Sequence, residues 1–419
     1  MTTTPEPISD LPLAGIRVIE FTHMVMGPSM GVILADMGAE VTKVEPMEGD
    51  NTRRLSGSGA GYFAMYNRNK TSLAANLKSP AGRAAVGALV ANCDVVIENF
   101  RPGAMDELGF GYSALAARNP RLIYCSGKGF LAGPYEHRTA LDEVAQMMGG
   151  LAYMTGLPDK PMRAGASVID VTGAMFGVIG ILAALEQRHR SGAGQYVKTS
   201  LYETTAFLVG QHMAQCAVTG QPAPPMSVRQ SAWAVYDVFD TADQERVFAA
   251  VVSDTQWRKF CADFAFTDFL NDPSLAKNTD RGRQRDRTLP IIRAQFKTLS
   301  KAALMAALEA SGLPFAPIAK PEDLFDDVHL NAAGGLLAIT LPGGQTTKLP
   351  ALPLEMAGRR FGMRRDLPGI GEHSRELLIA QGLSVAQVDA LEAALAIRST
   401  PAQAPAPQTD STPTRRVVS

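Results

Sequence analysis

The residue whose type and setting point most directly to chemistry is Asp170. It is the one acid between Arg163 and Glu186 in the run RAGASVIDVTGAMFGVIGILAALEQRHRSGAGQYVKTS. Residues 166–169 read as a short β-branched approach, 171–189 as a helix, and 196–198 as a strand after a glycine turn. A strand-to-helix junction there puts Asp170 beside a helix N-terminus, where free N–H groups and the helix dipole favour a carboxylate as its anion. Two roles fit. One is a structural helix cap. The other is a nucleophile, held ionised and partly desolvated by Val168, Ile169, Val171 and Met175, of the kind that forms covalent acyl intermediates. Spacing does not choose between them.

Further polar groups fall near the expected ends of apolar strands: His23, the run Asn67-Arg68-Asn69-Lys70, the run Glu98-Asn99-Phe100-Arg101, and Lys128. Each alone is an ordinary polar loop end. Together they read as basic and amide groups converging on an anionic, phosphate-bearing ligand. His137, Arg138 and Asp142 lie where a glycine-proline turn passes into a helix from about Thr139, and are expected near Asp170. A lone histidine in such a loop is also a common surface or capping residue.

These groups need a frame to hold them. GIRVIEF, a glycine-containing turn, a helix from Pro28 and the strand Glu40–Glu45 make a βαβ unit within about thirty residues. Strand-like and helical stretches then alternate to residue 126, with Ser79 as a helix cap. That pattern predicts an α/β fold: a large domain built on an open, mostly parallel sheet, with ligands bound beyond the carboxyl ends of its strands. The glycine fingerprint of dinucleotide binding is missing, which disfavours a nicotinamide enzyme. The proline-rich connector 220–227 marks a boundary. We expect the first part of the large domain over 1–225, a smaller α/β domain over 226–330, a return to the large domain over 331–398, and a disordered Pro/Ala/Thr-rich tail over 399–419.

Composition narrows the classes. The chain has 419 residues, 46% of them hydrophobic, enough for one large or two ordinary cores. A formal net charge of −1 offers no strong field for nucleic acid or an anionic membrane. The four cysteines are far apart, without metal-ligand spacing or a disulfide framework, which fits a reducing cytoplasm. The first fifteen residues do not read as a signal peptide. The most apolar run, 173–185, is shorter than the ~20 residues of a membrane helix. The expectation is a soluble, cytoplasmic enzyme with no bound metal.

Taken together, GIRVIEFTHMVMGP, YNRNKTSLAANLKSPAGR, VIENFRPGAMDELGFGYSAL, ALDEVAQMMGG, IDVTGAMFGVIGILAALEQRHRSGAGQYV and GIGEHSRELL resemble the family III CoA-transferases, which include formyl-CoA transferase and α-methylacyl-CoA racemase. The resemblance implies a Rossmann-like large domain with a smaller linked domain, and an interlocked homodimer. It also implies Asp170 as the nucleophile that passes CoA through a mixed anhydride and an aspartyl-CoA thioester. Coenzyme A thioester is then a substrate rather than a permanent cofactor, with a carboxylic acid as the other partner. Met24, Val25, Lys70, Asn99, Phe100 and Ala104 match CoA-contacting positions, and Asp142 an acidic active-site position. Where formyl-CoA transferase has Gln, Arg and Lys, this chain has Val25, Pro46 and Thr139, and Arg138 is expected to replace the last charge. The text around GPYEHRTALDEVAQMMGG is most similar to the mesaconyl-CoA C1–C4 CoA transferase branch, which handles C4–C5 dicarboxylic acids. A second substrate carboxylate wants a cationic partner near Asp170, expected from His137 and Arg138. The alternative is a 2-methylacyl-CoA racemase, for which His137 is the base but lacks an adjacent aspartate.

Overall fold

The computed structural model describes residues 10–228 and 231–400; the expected tail beyond them, like the first nine residues, lies outside the described residues. The chain divides into two compact units, one made of Met1–Ser227 with Val328–Ser419 and the other of Val228–Asp327.

The larger unit is α/β and built on one seven-stranded sheet. Its strands are β1 (Arg17–Phe21), β2 (Glu40–Glu45), β3 (Lys70–Ala75), β4 (Val95–Glu98), β5 (Ile123–Lys128) and β6 (Tyr196–Ser200). They lie in the order 3-2-1-4-5-6, all parallel, with Ile397–Arg398 pairing antiparallel on the free edge of β3. β1–β5 are buried on both faces and their side chains alternate between two cores. Val18, Val41, Val95, Ile97 and Cys125 face one core, while Ile19, Phe21, Val44, Leu73 and Val96 face the other. The order reverses between β1 and β4. At that switch point the loops leaving adjacent strands diverge and open a crevice.

Helices cover the faces: α1 (Met26–Asp36), α2 (Pro80–Val90), α3 (Asp142–Met148), α4 (Val168–Ser191) and α5 (Leu201–Thr219). Ser79 caps α2 by accepting from Gly82 N, as its position before a proline-led apolar run predicts. α4 lies against α1, β5 and β6. Close approach needs glycine: a Cβ at Gly173 would stand 2.9 Å from Met26 Cε, and one at Gly177 would overlap Met30 Sδ.

Two expectations around the site change. Residues 166–169 are not a strand, because Val168 and Ile169 already belong to α4, and Asp170 sits in its first turn. Thr139 is not helical either; α3 begins at Asp142. α4 also runs 24 residues, longer than its apolar core suggested. Among the described residues it is the one helix long and apolar enough to cross a membrane, a criterion that buried core helices also meet.

The smaller unit carries a three-stranded antiparallel sheet, Val235–Asp240, Arg246–Val251 and Phe315–Pro317. Trp257, Phe260, Phe296 and Leu304 pack against it. Ser253 and Ser300 cap its helices Asp254–Asp263 and Lys301–Ala310. In the larger unit, Leu336–Thr340 and Thr346–Pro350 form a hairpin across Gly343 and Gly344, whose positive φ angles of 102° and 88° suit glycine.

Candidate active site

A cleft of about 390 Å³ opens at the carboxyl ends of β1, β4, β5 and β6, where residues following each strand line it: His23, Asn99, Gly129 and Leu201. It spans the switch point. Asn99 fastens the two sides, because its Oδ1 accepts from His23 N at 3.0 Å and its Nδ2 donates to His23 O at 2.9 Å. Phe100 stacks on the His23 ring with centroids 5.2 Å apart. Burial pulls the His23 pKa below its ordinary value, with Asp50 opposing and Lys43 assisting, so the ring is neutral at pH 7. The next residue, Met24, lines the cleft with φ at 62°, a left-handed conformation that a non-glycine residue holds only when its surroundings enforce it. A second hollow of about 410 Å³ lies at the opposite edge of the sheet, beside the amino ends of β1–β3. It is remote from the strand-end loops.

Asp170 enters the cleft from the first turn of α4. A crossover helix must start near the carboxyl edge of the strand before it, and α4 connects β5 to β6. Four N–H groups open that helix, and each already has an acceptor. Val168 N bonds to Ala166 O, and Val171 N to Ser167 O. Ile169 N and Asp170 N both donate to Asp142 Oδ2, at 2.9 and 3.1 Å. Asp142 therefore caps α4 from another helix, and the helix start is not a free anion hole. Gln146 donates to Asp142 Oδ1 at 2.6 Å and accepts from Ala164 N at 2.8 Å, which fixes the approach to α4. Arg163 Nη2 stands 3.3 Å from Asp142 Oδ1.

The carboxyl group of Asp170 receives no side-chain hydrogen bond from the described residues. Its pKa rises to about 7, first through burial and second through the charge of Asp142, with Arg163 opposing. The helix start was expected to favour the anion. Because Asp142 occupies those donors, the shift runs the other way, and Asp170 is a more basic carboxylate than usual. Tyr62 lines the cleft. Tyr66, one turn further along the short helix Tyr62–Tyr66, is pushed up to about 12 by burial and by the charge of Asp170.

The cleft gathers Met24, Val25, Asn99, Phe100, Arg138, Asp142 and Asp170 from the residues singled out in the sequence. Asn67, Arg68, Asn69, Lys70, Glu98, Ala104 and His137 do not line it. Lys70 is buried in the sheet, its Nζ 2.8 Å from Glu20 Oε1 and 3.0 Å from Pro28 O, so it has no surface to offer a ligand. Ala104 lies on the short helix Ala104–Glu107 and is not part of the cleft wall. His137 is exposed on the loop outside the wall. Arg138 turns its guanidinium onto the Tyr135 ring, 4.4 Å from the centroid. Arg163, Tyr62 and Tyr66 escaped the sequence reading. Arg163 had a signal, being the nearest cation before Asp170 in the chain.

The family model described as CoA-transferase family III matches residues 13–374. The chain is 35% identical to the succinate–glutarate CoA-transferase of Agrobacterium fabrum over 390 residues, covering 90% of this chain and 97% of that protein. It is 32% identical to a succinyl-CoA:mesaconate CoA-transferase of Haloarcula marismortui over 391 residues, 88% of this chain and 96% of that one. The crystal structure of a CAIB/BAIF family protein from Brucella suis superposes with a TM-score of 0.77 at 31% identity, covering 88% of this chain and 99% of that chain.

Proposed function

The chain belongs to the family III CoA-transferases, enzymes that exchange CoA between an acyl-CoA and a carboxylic acid, and we propose that it serves a C4–C5 dicarboxylic acid through a covalent intermediate on Asp170. The observation that carries this reading is the Asp170 carboxyl itself: cleft-lining, without a hydrogen bond from the described residues, and basic, with a pKa of about 7. A carboxylate of that kind is a nucleophile in waiting rather than half of an ion pair.

In the proposed cycle a carboxylate oxygen of Asp170 attacks the thioester carbonyl, and the C–S bond breaks to release CoA thiolate. The thiolate attacks the Asp170 side of the resulting mixed anhydride, expelling the donor acid as its carboxylate and leaving an aspartyl-CoA thioester. The acceptor carboxylate attacks that thioester and frees thiolate again. Attack of the thiolate on the acceptor side of the second anhydride yields the new acyl-CoA and restores the Asp170 carboxylate. No proton is consumed, so Asp170 must start ionised. Negative charge on the tetrahedral oxygens has to be met from the cleft side, where Tyr62 and Ser167 line the wall, because Asp142 holds the N–H groups of Ile169 and Asp170.

The relatives' acids, succinate, glutarate and mesaconate, support the substrate class; intramolecular C1–C4 transfer on mesaconyl-CoA is the narrower form of the reading. We assign CoA binding to the strand-end loops of the large domain, 1–225 with 331–398, through Met24, Val25, Asn99, Phe100 and Arg138. The unpaired thiols suit a reducing, cytoplasmic setting. Homodimerisation is part of the proposal. Phe207, Met213 and Val218 on α5 are 72, 64 and 86% exposed, and Ile179 on α4 is 59% exposed. Such side chains call for a covering surface. The racemase alternative needs an acid–base pair at the cleft, and His137 lies outside its wall.

The test is turnover of succinyl-CoA with glutarate or mesaconate by the wild type and by D170A. Loss of at least ~10³-fold in D170A, with CoA binding retained, is the expected result. Unchanged turnover would refute the mechanism.

A further inference from the structure

We propose that Arg163 binds the distal carboxylate of the acceptor acid and so selects dicarboxylates over monocarboxylates, an inference that rests on the transferase reading above. Arg163 lines the same cleft as Asp170 and precedes it by seven residues on the approach to α4. Its side chain is 35% exposed, and its ion contacts are loose, 3.3 Å to Asp142 and 3.9 Å to Glu143. Committed arginines in this molecule sit closer to their acids: Arg53 to Glu45 at 2.6 Å, Arg68 to Asp36 at 2.7 Å and Arg375 to Glu392 at 2.6 Å.

Nε and Nη2 of Arg163 donate to Ala164 O and Ala166 O at 3.1 and 3.2 Å, which positions the stem. Among the described residues, Nη1 has only the contact to Glu143, at the outer limit of an ion pair. Asp142 does not depend on Arg163 either, since Gln146 and two α4 N–H groups already hold its oxygens. A ligand carboxylate that draws the fork away therefore leaves no buried acid unsatisfied. Glu143 is exposed and can turn to solvent.

The other cations of the cleft are engaged or turned aside. Lys128 Nζ bonds to Glu98 Oε2 at 2.8 Å and Phe100 O at 2.7 Å. Arg101 pairs with Glu107 at 2.6 Å, and Arg138 lies over Tyr135. Planar, bidentate recognition of a carboxylate is the task that suits an arginine fork best.

Ligand-observed NMR titration of glutarate and of valerate, which lacks the second carboxylate, into wild type, R163K and R163M decides the matter. The expected result is that R163M weakens glutarate about tenfold or more, R163K recovers part of the loss, and valerate binding stays within about twofold throughout. In turnover well above pH 7, where Asp170 is ionised in every variant, KM for glutarate rises while kcat changes little. Should R163M fail to fold, R163Q takes its place, keeping a donor for the Ala164 and Ala166 carbonyls. Equal loss for both acids, or no loss for either, would overturn the proposal. Binding is read without turnover, so a protein that binds glutarate through Arg163 yet performs no transfer would sink the transferase reading alone.

Discussion

Two regions of the large unit bury charge, and they treat it oppositely. Beneath β1–β3, Glu20, Glu45 and Asp50 face Lys43, Arg53 and Lys70, acid against base. Lys70 reaches Glu20 at 2.8 Å, Lys43 reaches Asp50 at 2.9 Å, and Arg53 reaches Glu45 at 2.6 Å. Remaining valences are filled by Ser72 Oγ on Glu45 and by Thr22 O and Pro28 O on the lysines. Burial, the largest influence on Lys43, opposes its charge, yet Glu20, Asp50 and Glu45 together hold its pKa above the ordinary value. At the cleft the count is different. Asp142 and Asp170 stand together with Arg163 as their loosely held cation. Asp142 takes the helix N–H groups and Asp170 is left with a raised pKa. Paired charge makes scaffold, and unpaired charge at a cleft wall makes reactivity.

Breaking the paired region gives the largest effect on stability. K70M takes from buried Glu20 both hydrogen bonds of its nearer cation, leaving only Lys43 at 3.7 Å, and is expected to lose about 3–5 kcal/mol, read by denaturant unfolding. A loss under about 1 kcal/mol would show that the network is not a unit.

At the cleft, charge changes move a pH profile instead. Transfer needs ionised Asp170, so kcat/KM is expected to fall below pH 7, approaching tenfold per unit. D142N removes the acid that helps raise the Asp170 pKa and moves this limb to lower pH. R163Q removes the opposing cation and moves it to higher pH. Shifts in the same direction for both variants would contradict the electrostatic account.

The smallest effect is a gain. Asp170 has a folded-state pKa above the ordinary carboxylate value, so between about pH 4 and 7 the folded chain holds a proton that the unfolded chain has released. Stability from this group is therefore lost as pH rises through that window. D170N should melt on the order of 2 °C above wild type above pH 7, and level with it below pH 4. A lower melting temperature at every pH would mean that Asp170 is structural.

Much of the frame was legible because it is local. Apolar strands, the Ser79 cap and the Gly343–Gly344 turn each follow from neighbours in sequence. What escaped depends on partners far along the chain. Val168 and Ile169 look like strand residues, yet they are helical because Asp142, 27 residues before Ile169, caps α4 through their turn. Lys70 reads as a strand-end cation open to ligand, but Glu20, 50 residues earlier, draws it inside. His137 and Arg138 lie in an irregular loop whose side-chain directions no period encodes. Arg163 opens the run that carries Asp170, but its type and spacing alone do not distinguish it from a solvated arginine before a helix.

The most direct test of the account is peptide mass spectrometry of the protein mixed with succinyl-CoA and quenched with hydroxylamine. A hydroxamate on the peptide carrying Asp170, absent without the thioester and absent in D170N, is the predicted result. An unmodified Asp170 peptide while CoA transfer proceeds in the same sample would contradict it.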